Sequence, residues 1–217
     1  EVEYCVDGVD NQSFERMTDY GGNNARSGEA LPEHEMVSYY DGKTYQEAII
    51  TYDDSGKRSM PEKEIIHTSN EDAEERKNLD FVALVKPSSR VQTDSDGINT
   101  YYYRQSPNAL GFSRASLEPQ ELTIGYLRDF SAWEIARQET LLDRSCSVIQ
   151  GTLSGDYSEK LHTTDFTLWV DNETGVLLQL EGYSADGELS ETLTTSEFQV
   201  DSPSVTASAI QAMFDQA

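Results

Sequence analysis

The sequence predicts a mainly β protein of the α+β class, an antiparallel assembly of strands with a few covering helices. Three observations carry this. Residues 163–200 alternate apolar and polar side chains in three runs, with Phe166, Leu168 and Val170 in the first and Val176, Leu178 and Leu180 in the second. Tight-turn chemistry joins the runs, at Asp171-Asn172-Glu173-Thr174-Gly175 and at Asp186-Gly187. The composition fits the same class: only 36% of the 217 residues are hydrophobic, a thin supply for a compact helical core, and the 12 tyrosines suit half-buried sheet surface, where a ring packs while its hydroxyl stays wet.

Residues 1–8 already alternate like a strand and run into a glycine-containing turn. Residues 36–40 and 44–52 form the next pair about Asp41-Gly42, and a further turn follows at 53–57. Residues 88–105 read as another hairpin, with arms at 90–93 and 98–104 about Asp94-Ser95-Asp96-Gly97. Three segments break this pattern. Ser69-Asn70-Glu71-Asp72 has the form of a capping box opening a short surface helix over 69–79. In 118–127, Leu122, Tyr126 and Leu127 fall at helical spacing behind Pro119, which predicts a helix lying on the sheet. A closing helix over 203–215 has Ala209, Ile210, Met213 and Phe214 on one side. Between them, 130–151 reads as a hairpin about Leu142-Asp143-Arg144, feeding the long meander, and Ser154-Gly155 reads as a turn. No repeat of fixed period runs through the chain, so a single domain over 1–217 is expected rather than a propeller or solenoid.

Charge narrows the partners. With 16 basic against 40 acidic residues the net charge is −24, which repels nucleic acid and anionic membrane surfaces. No stretch approaches the length of apolar sequence that spans a bilayer. Because the chain opens in mid-pattern, a leading segment such as a signal or membrane anchor is expected ahead of it, placing the protein outside the cytoplasm. Cys5 and Cys146 form no metal or redox motif, and two readings stay open, a disulfide between them or two buried free thiols.

Residues 142–151, followed by Phe166-Thr167-Leu168-Trp169-Val170-Asp171-Asn172-Glu173-Thr174-Gly175-Val176-Leu177-Leu178 and a glycine-turn strand pair ending near Phe198, resemble the lipoprotein-carrier-like superfamily of LolA, LolB and RseB types, in its Gram-positive extracellular form. Tyr39-Tyr40-Asp41-Gly42-Lys43-Thr44-Tyr45 resembles a strand pair of the same proteins. The resemblance covers a little over half of the chain. It implies a strongly curved antiparallel sheet, a half-barrel whose concave apolar face is closed by helices and binds or senses acyl chains or lipoprotein segments. Alternation nominates Phe166, Leu168, Val170, Val176, Leu178 and Leu180 as lining such a slot, with Leu122 and Tyr126 on the covering helix. Trp169, of opposite parity, is expected on the other face.

Signals for catalysis are weak. His34, His67 and His162 lie in unrelated contexts without metal-ligand spacing, and no serine sits in a nucleophile elbow. Asp94-Ser95-Asp96-Gly97 has its glycine too early for a calcium loop, and no glycine-rich phosphate cradle exists. No metal or cofactor is therefore expected. The leading function is a non-enzymatic extracytoplasmic domain that binds a lipid or lipopeptide or reports envelope state to a membrane-associated protein, with sigma-factor regulation as one setting. A secreted polysaccharide hydrolase using two of the acids, and a ligand-free structural surface domain, are the alternatives.

Overall fold

The computed structural model describes residues 1–20, 32–53, 56–60, 62–67, 91–101, 106 and 108–217. The helix expected over 69–79 lies outside them, as do parts of the 88–105 hairpin. The chain divides into two compact units, the first made of Glu1–Asp80, Gln105–Ser113 and Asp201–Ala217, the second of Phe81–Arg104 and Arg114–Val200. Both are built on antiparallel meanders, so the class is mainly β, and among the described residues each five-stranded sheet is open at its edges.

In the first unit, β1 (Val2–Asp7), β2 (Gln12–Asp19), β3 (His34–Tyr40), β4 (Thr44–Thr51) and β5 (Glu62–His67) pair in sequence order. The Asp41 carboxylate makes the β3–β4 turn, accepting from the amides of Lys43 at 2.8 Å and Thr44 at 2.6 Å. Phe14, Val37, Tyr39, Ala48 and Ile50 bury one face of the sheet. Against it packs the closing helix, here numbered α4 (Ala207–Asp215), through Ile210 and Phe214, with Phe214 stacked on Tyr39 at 5.7 Å. That helix starts four residues later than Pro203, where Thr206 caps it by accepting from Ala209 N at 3.2 Å.

The other parity of β2 is polar yet buried. Glu15, 1% exposed, accepts from Gly111 N and Ser113 N at 2.7 Å each, from Ser113 Oγ at 2.5 Å and from Ser38 Oγ at 3.5 Å. Ser13 Oγ donates to Asn108 O at 2.5 Å. A carboxylate only accepts, and every one of these contacts brings it a donor. The segment 106–113 is thereby fastened across the second face of the sheet.

In the second unit, β6 (Val91–Thr93) and β7 (Asn99–Tyr101) form a separate hairpin whose turn is held by Asp94 Oδ1. The larger sheet runs β12 (Leu189–Thr194), β11 (Leu177–Tyr183), β10 (Asp165–Asp171), β9 (Arg144–Thr152) and β8 (Trp133–Leu141). The expected 130–151 hairpin is β8–β9, and Leu142 and Asp143, both at positive φ, form its turn. Three short helices accompany this sheet: α1 (Arg114–Leu117), α2 (Gln120–Gly125) and α3 (Gly155–Leu161). The first and last were not expected. Where a turn was read at Ser154-Gly155, the chain continues into α3, with Asp156 in its first turn and Lys160 in its last, as the helix dipole favours. Gly151 admits a close crossing, since a Cβ there would sit 2.5 Å from Phe166 Cζ and 2.6 Å from Trp133 Cβ.

Asp171 explains the Asp-x-x-Thr-Gly turn. Its buried carboxylate accepts from Thr174 N at 2.9 Å and Thr174 Oγ1 at 2.6 Å, and takes Arg144 as a two-pronged partner at 3.0 and 2.8 Å. The Arg144 hydrogen bonds, then those from Thr174, hold its pKa down at about 2. A carboxyl depressed below its unfolded value contributes stability that is complete above pH 4 and fades as pH falls towards 2. We expect wild type to exceed Asp171→Asn by about 2 kcal/mol at pH 6 and by almost nothing at pH 2, read from urea unfolding at each pH. Glu15→Ala is expected to cost about 3 kcal/mol in the same assay, because it strands the buried amide and hydroxyl of Ser113 and the part-buried amide of Gly111, and Glu15→Gln to recover only part of that.

Candidate functional site

The residues nominated as slot-lining fall into two groups. Phe166, Leu168 and Leu180 join Leu122 of α2 and Tyr126, the residue capping its end, with Ile149, Leu153 and Leu177, in one buried cluster, against which Val170 is packed. Val176 and Leu178 belong to another, with Cys146, Val148 and Trp169. The alternation that puts Leu178 with Leu180 is broken by a β-bulge. Leu168 pairs with Leu180 and Trp169 with Gln179, but Val170 pairs with Leu177, so Leu178 is the extra residue on β11. An inserted residue reverses side-chain parity beyond it. Leu177 therefore takes the face expected of Leu178, and Leu178 joins Trp169.

Trp169 lies on the face opposite Leu168, as expected, and is 8% exposed, with Leu117, Leu141 and Phe198 packed on its cluster. Its Nε1 donates to Glu139 at 3.3 Å. Cys5, half-buried, and Cys146, buried, are free thiols, each held in the apolar packing of its own unit. Burial pushes both thiol pKa values up.

The layer under α2 is the first candidate site. Tyr126 meets Phe166 edge-on at 5.0 Å and Tyr157 of α3 at 5.9 Å. A Cβ on Gly125 would lie 2.1 Å from the Tyr157 ring, so only glycine lets these two helices approach this closely. The Tyr126 hydroxyl donates to Glu191 of β12, and burial, then this bond, drives its pKa upward. Trp133 Nε1 donates to Leu127 O at 3.2 Å beside the helix end. The N-cap, Pro119, offers no side-chain hydrogen bond, so six residues of helix depend on what they touch. Of the nominated side chains, Phe166, Leu168 and Leu180 are each at most 2% exposed.

A second feature was not anticipated. Across the opposite face of this sheet, Glu134, Gln150, Thr167 and Glu181 pair in one row over β8, β9, β10 and β11, with Thr152, Asp165 and Tyr183 beside them. All of these but Glu181 border a solvent-open trough of about 480 Å³ that reaches Ser131 and Ala132 at the β8 end. Tyr183 Oη donates to Glu181 at 2.7 Å. The cue in the sequence is polar alternation within β9 and β10, which reads equally as plain solvent exposure. Among the described residues no group of three His, Cys, Asp or Glu stands where it could hold a metal, and no helix is long and apolar enough to cross a membrane.

No family model and no curated protein matches the chain. Solved structures similar to it include a DUF1329 family protein from Desulfovibrio piger, at a TM-score of 0.27 and 11% identity, covering 88% of this chain and 66% of that one. A second is an outer membrane lipoprotein-sorting protein domain from Vibrio parahaemolyticus, at a TM-score of 0.28 and 10% identity, covering 92% of this chain and 69% of that one.

Tyr126→Phe keeps the ring and deletes the bond to Glu191. We expect a loss of about 1 kcal/mol in equilibrium unfolding, against about 3 kcal/mol for Leu168→Ala at the centre of the cluster.

Proposed function

We propose that this chain is a non-catalytic, extracytoplasmic lipid-binding domain of the carrier type, taking an acyl chain or the lipid end of a lipopeptide into the layer beneath α2. One observation carries the reading: a short helix without a side-chain cap sets Leu122, and Tyr126 just past its end, against a sheet face made of Phe166, Leu168 and Leu180. An acyl chain offers the sheet the same kind of contact that Leu122 and Tyr126 offer, at roughly 0.8 kcal/mol per buried methylene, so helix and ligand can exchange places. In this reading α2 is the cover, the Tyr126–Glu191 bond its latch, and no side chain acts as acid, base or nucleophile. Reporting envelope state to a membrane-associated partner, sigma-factor control included, would follow from the cover's position. The chain passes between its two units four times, which supports a single cooperative domain over 1–217.

The ligand-free structural alternative is favoured by the burial of Phe166, Leu168 and Leu180 under α2. Native mass spectrometry after incubation with palmitate-containing vesicles separates the two. Carriage predicts one added acyl mass, a change in Trp133 emission, and faster uptake by Tyr126→Phe. An unchanged mass with unmoved emission in both proteins leaves the structural alternative standing.

A further inference from the structure

Among the described residues strand β8 is the edge of its sheet and, with β9, its longest strand at nine residues. Every residue from Glu134 to Thr140 is exposed, and Ile135 stands at 58%. A long edge leaves a row of backbone donors and acceptors free to pair with another strand. Natural edges are guarded, and this one is guarded selectively. A bulge falls between Ile135 and Arg137, and Arg137 is tied to Glu139 at 3.0 Å, features that hinder indiscriminate pairing.

Two further features mark the edge as more than bare. At its amino-terminal end Phe130 is 71% exposed, on a turn built by Asp129, whose carboxylate accepts from Ser131 N at 2.9 Å and Ser131 Oγ at 2.6 Å. Its ring rests on Trp133 at 5.7 Å. The polar trough also opens at this end, with Glu134 on β8 and Asp165 two strands further in. A strand added outside β8 points alternate side chains towards the trough face, where carboxylates meet them.

We propose that β8 is the docking edge for an extended basic segment of another polypeptide, which adds to the sheet as a further strand and lays a lysine or arginine side chain over the edge against Glu134, at the mouth of the trough. Charge selects this occupant. The only base among the exposed residues of β8, Arg137, is already paired with Glu139, whereas Glu134 and Asp165 leave the trough acidic. A second copy of this chain would bring another −24 to the interface, and electrostatic complementarity sets both encounter rate and choice of partner. The inference rests on the strand edge and trough and is independent of the layer under α2.

The test uses the whole chain and three synthetic octapeptides: alternating Lys-Thr, alternating Glu-Thr, and the Lys-Thr peptide N-methylated at alternate amides. Titration calorimetry and amide exchange are expected to show that the Lys-Thr peptide alone binds, slows exchange within Trp133–Leu141, and weakens as salt rises. Glu134→Lys, an exposed position, should weaken it by about tenfold or more while thermal unfolding stays unchanged. Equal binding of the Glu-Thr or N-methylated peptide, or protection appearing elsewhere, overturns the proposal. So does a dimer by sedimentation whose β8 amides are protected without peptide, since the occupant is then a second copy.

Discussion

A sheet that leaves water on both faces needs side chains of both parities that tolerate burial, and a chain with 36% hydrophobic residues cannot supply them all as apolar ones. In the first unit the deficit falls on β2. Phe14 serves the helix side with Val37 and Ile50, while Ser13 and Glu15, one residue either way, face the 106–113 segment. Burying a carboxylate is tolerable only when its lone pairs are met, and four donors meet this one. Register follows from the same requirement. A one-residue slip of β2 would drive Phe14 into a polar nest and Glu15 under Phe214, so no neighbouring alignment is acceptable.

The second unit solves the same problem by dividing a face. Behind Leu168 and Phe166 lies a continuous apolar side; behind Trp169 the other side is apolar near the Asp171 turn and polar towards Glu134 and Asp165. The bulge on β11 makes this division, because it moves Leu178 to the Trp169 cluster and leaves Leu177 beneath the helices. Asp171 holds the neighbouring turn against the start of β9 through Arg144, so the bulge sits in a part of the sheet fixed from both ends. One sheet thus carries a dry layer and a wet trough on opposite sides.

What could be read from the sequence was what local chemistry dictates. The turns at Asp41, Asp94 and Asp171 are each closed by their own carboxylate on amides two to four residues ahead, and they emerged where expected. The closing helix was legible because Ile210 and Phe214 are four apart and both apolar. Glu15 was not legible, since its partners lie 96 and 98 residues away and a strand glutamate ordinarily faces water. The parity of Leu177 and Leu178 failed for a related reason: three consecutive apolar residues, Val176 to Leu178, fit either register, and only pairing with β10 chooses. Seven of the eight nominated side chains are buried and Val170 is half-buried, but inwardness says nothing about whether space remains beside them.

Magnitudes bear on the proposed exchange of α2 for a ligand. Lifting the helix returns Leu122 and Tyr126 to water, at roughly 2–3 kcal/mol each, and breaks the bond to Glu191 at about 1 kcal/mol, for a total near 6 kcal/mol. At about 0.8 kcal/mol per methylene, some seven or eight methylenes would offset that loss before any net affinity appears. Short acids should therefore leave the layer closed. Chains of the length found in bilayer lipids exceed the threshold by several kcal/mol, even after the cost of ordering them. A filled interior is thus compatible with a carrier, provided that the cover is held by contacts its cargo can replace.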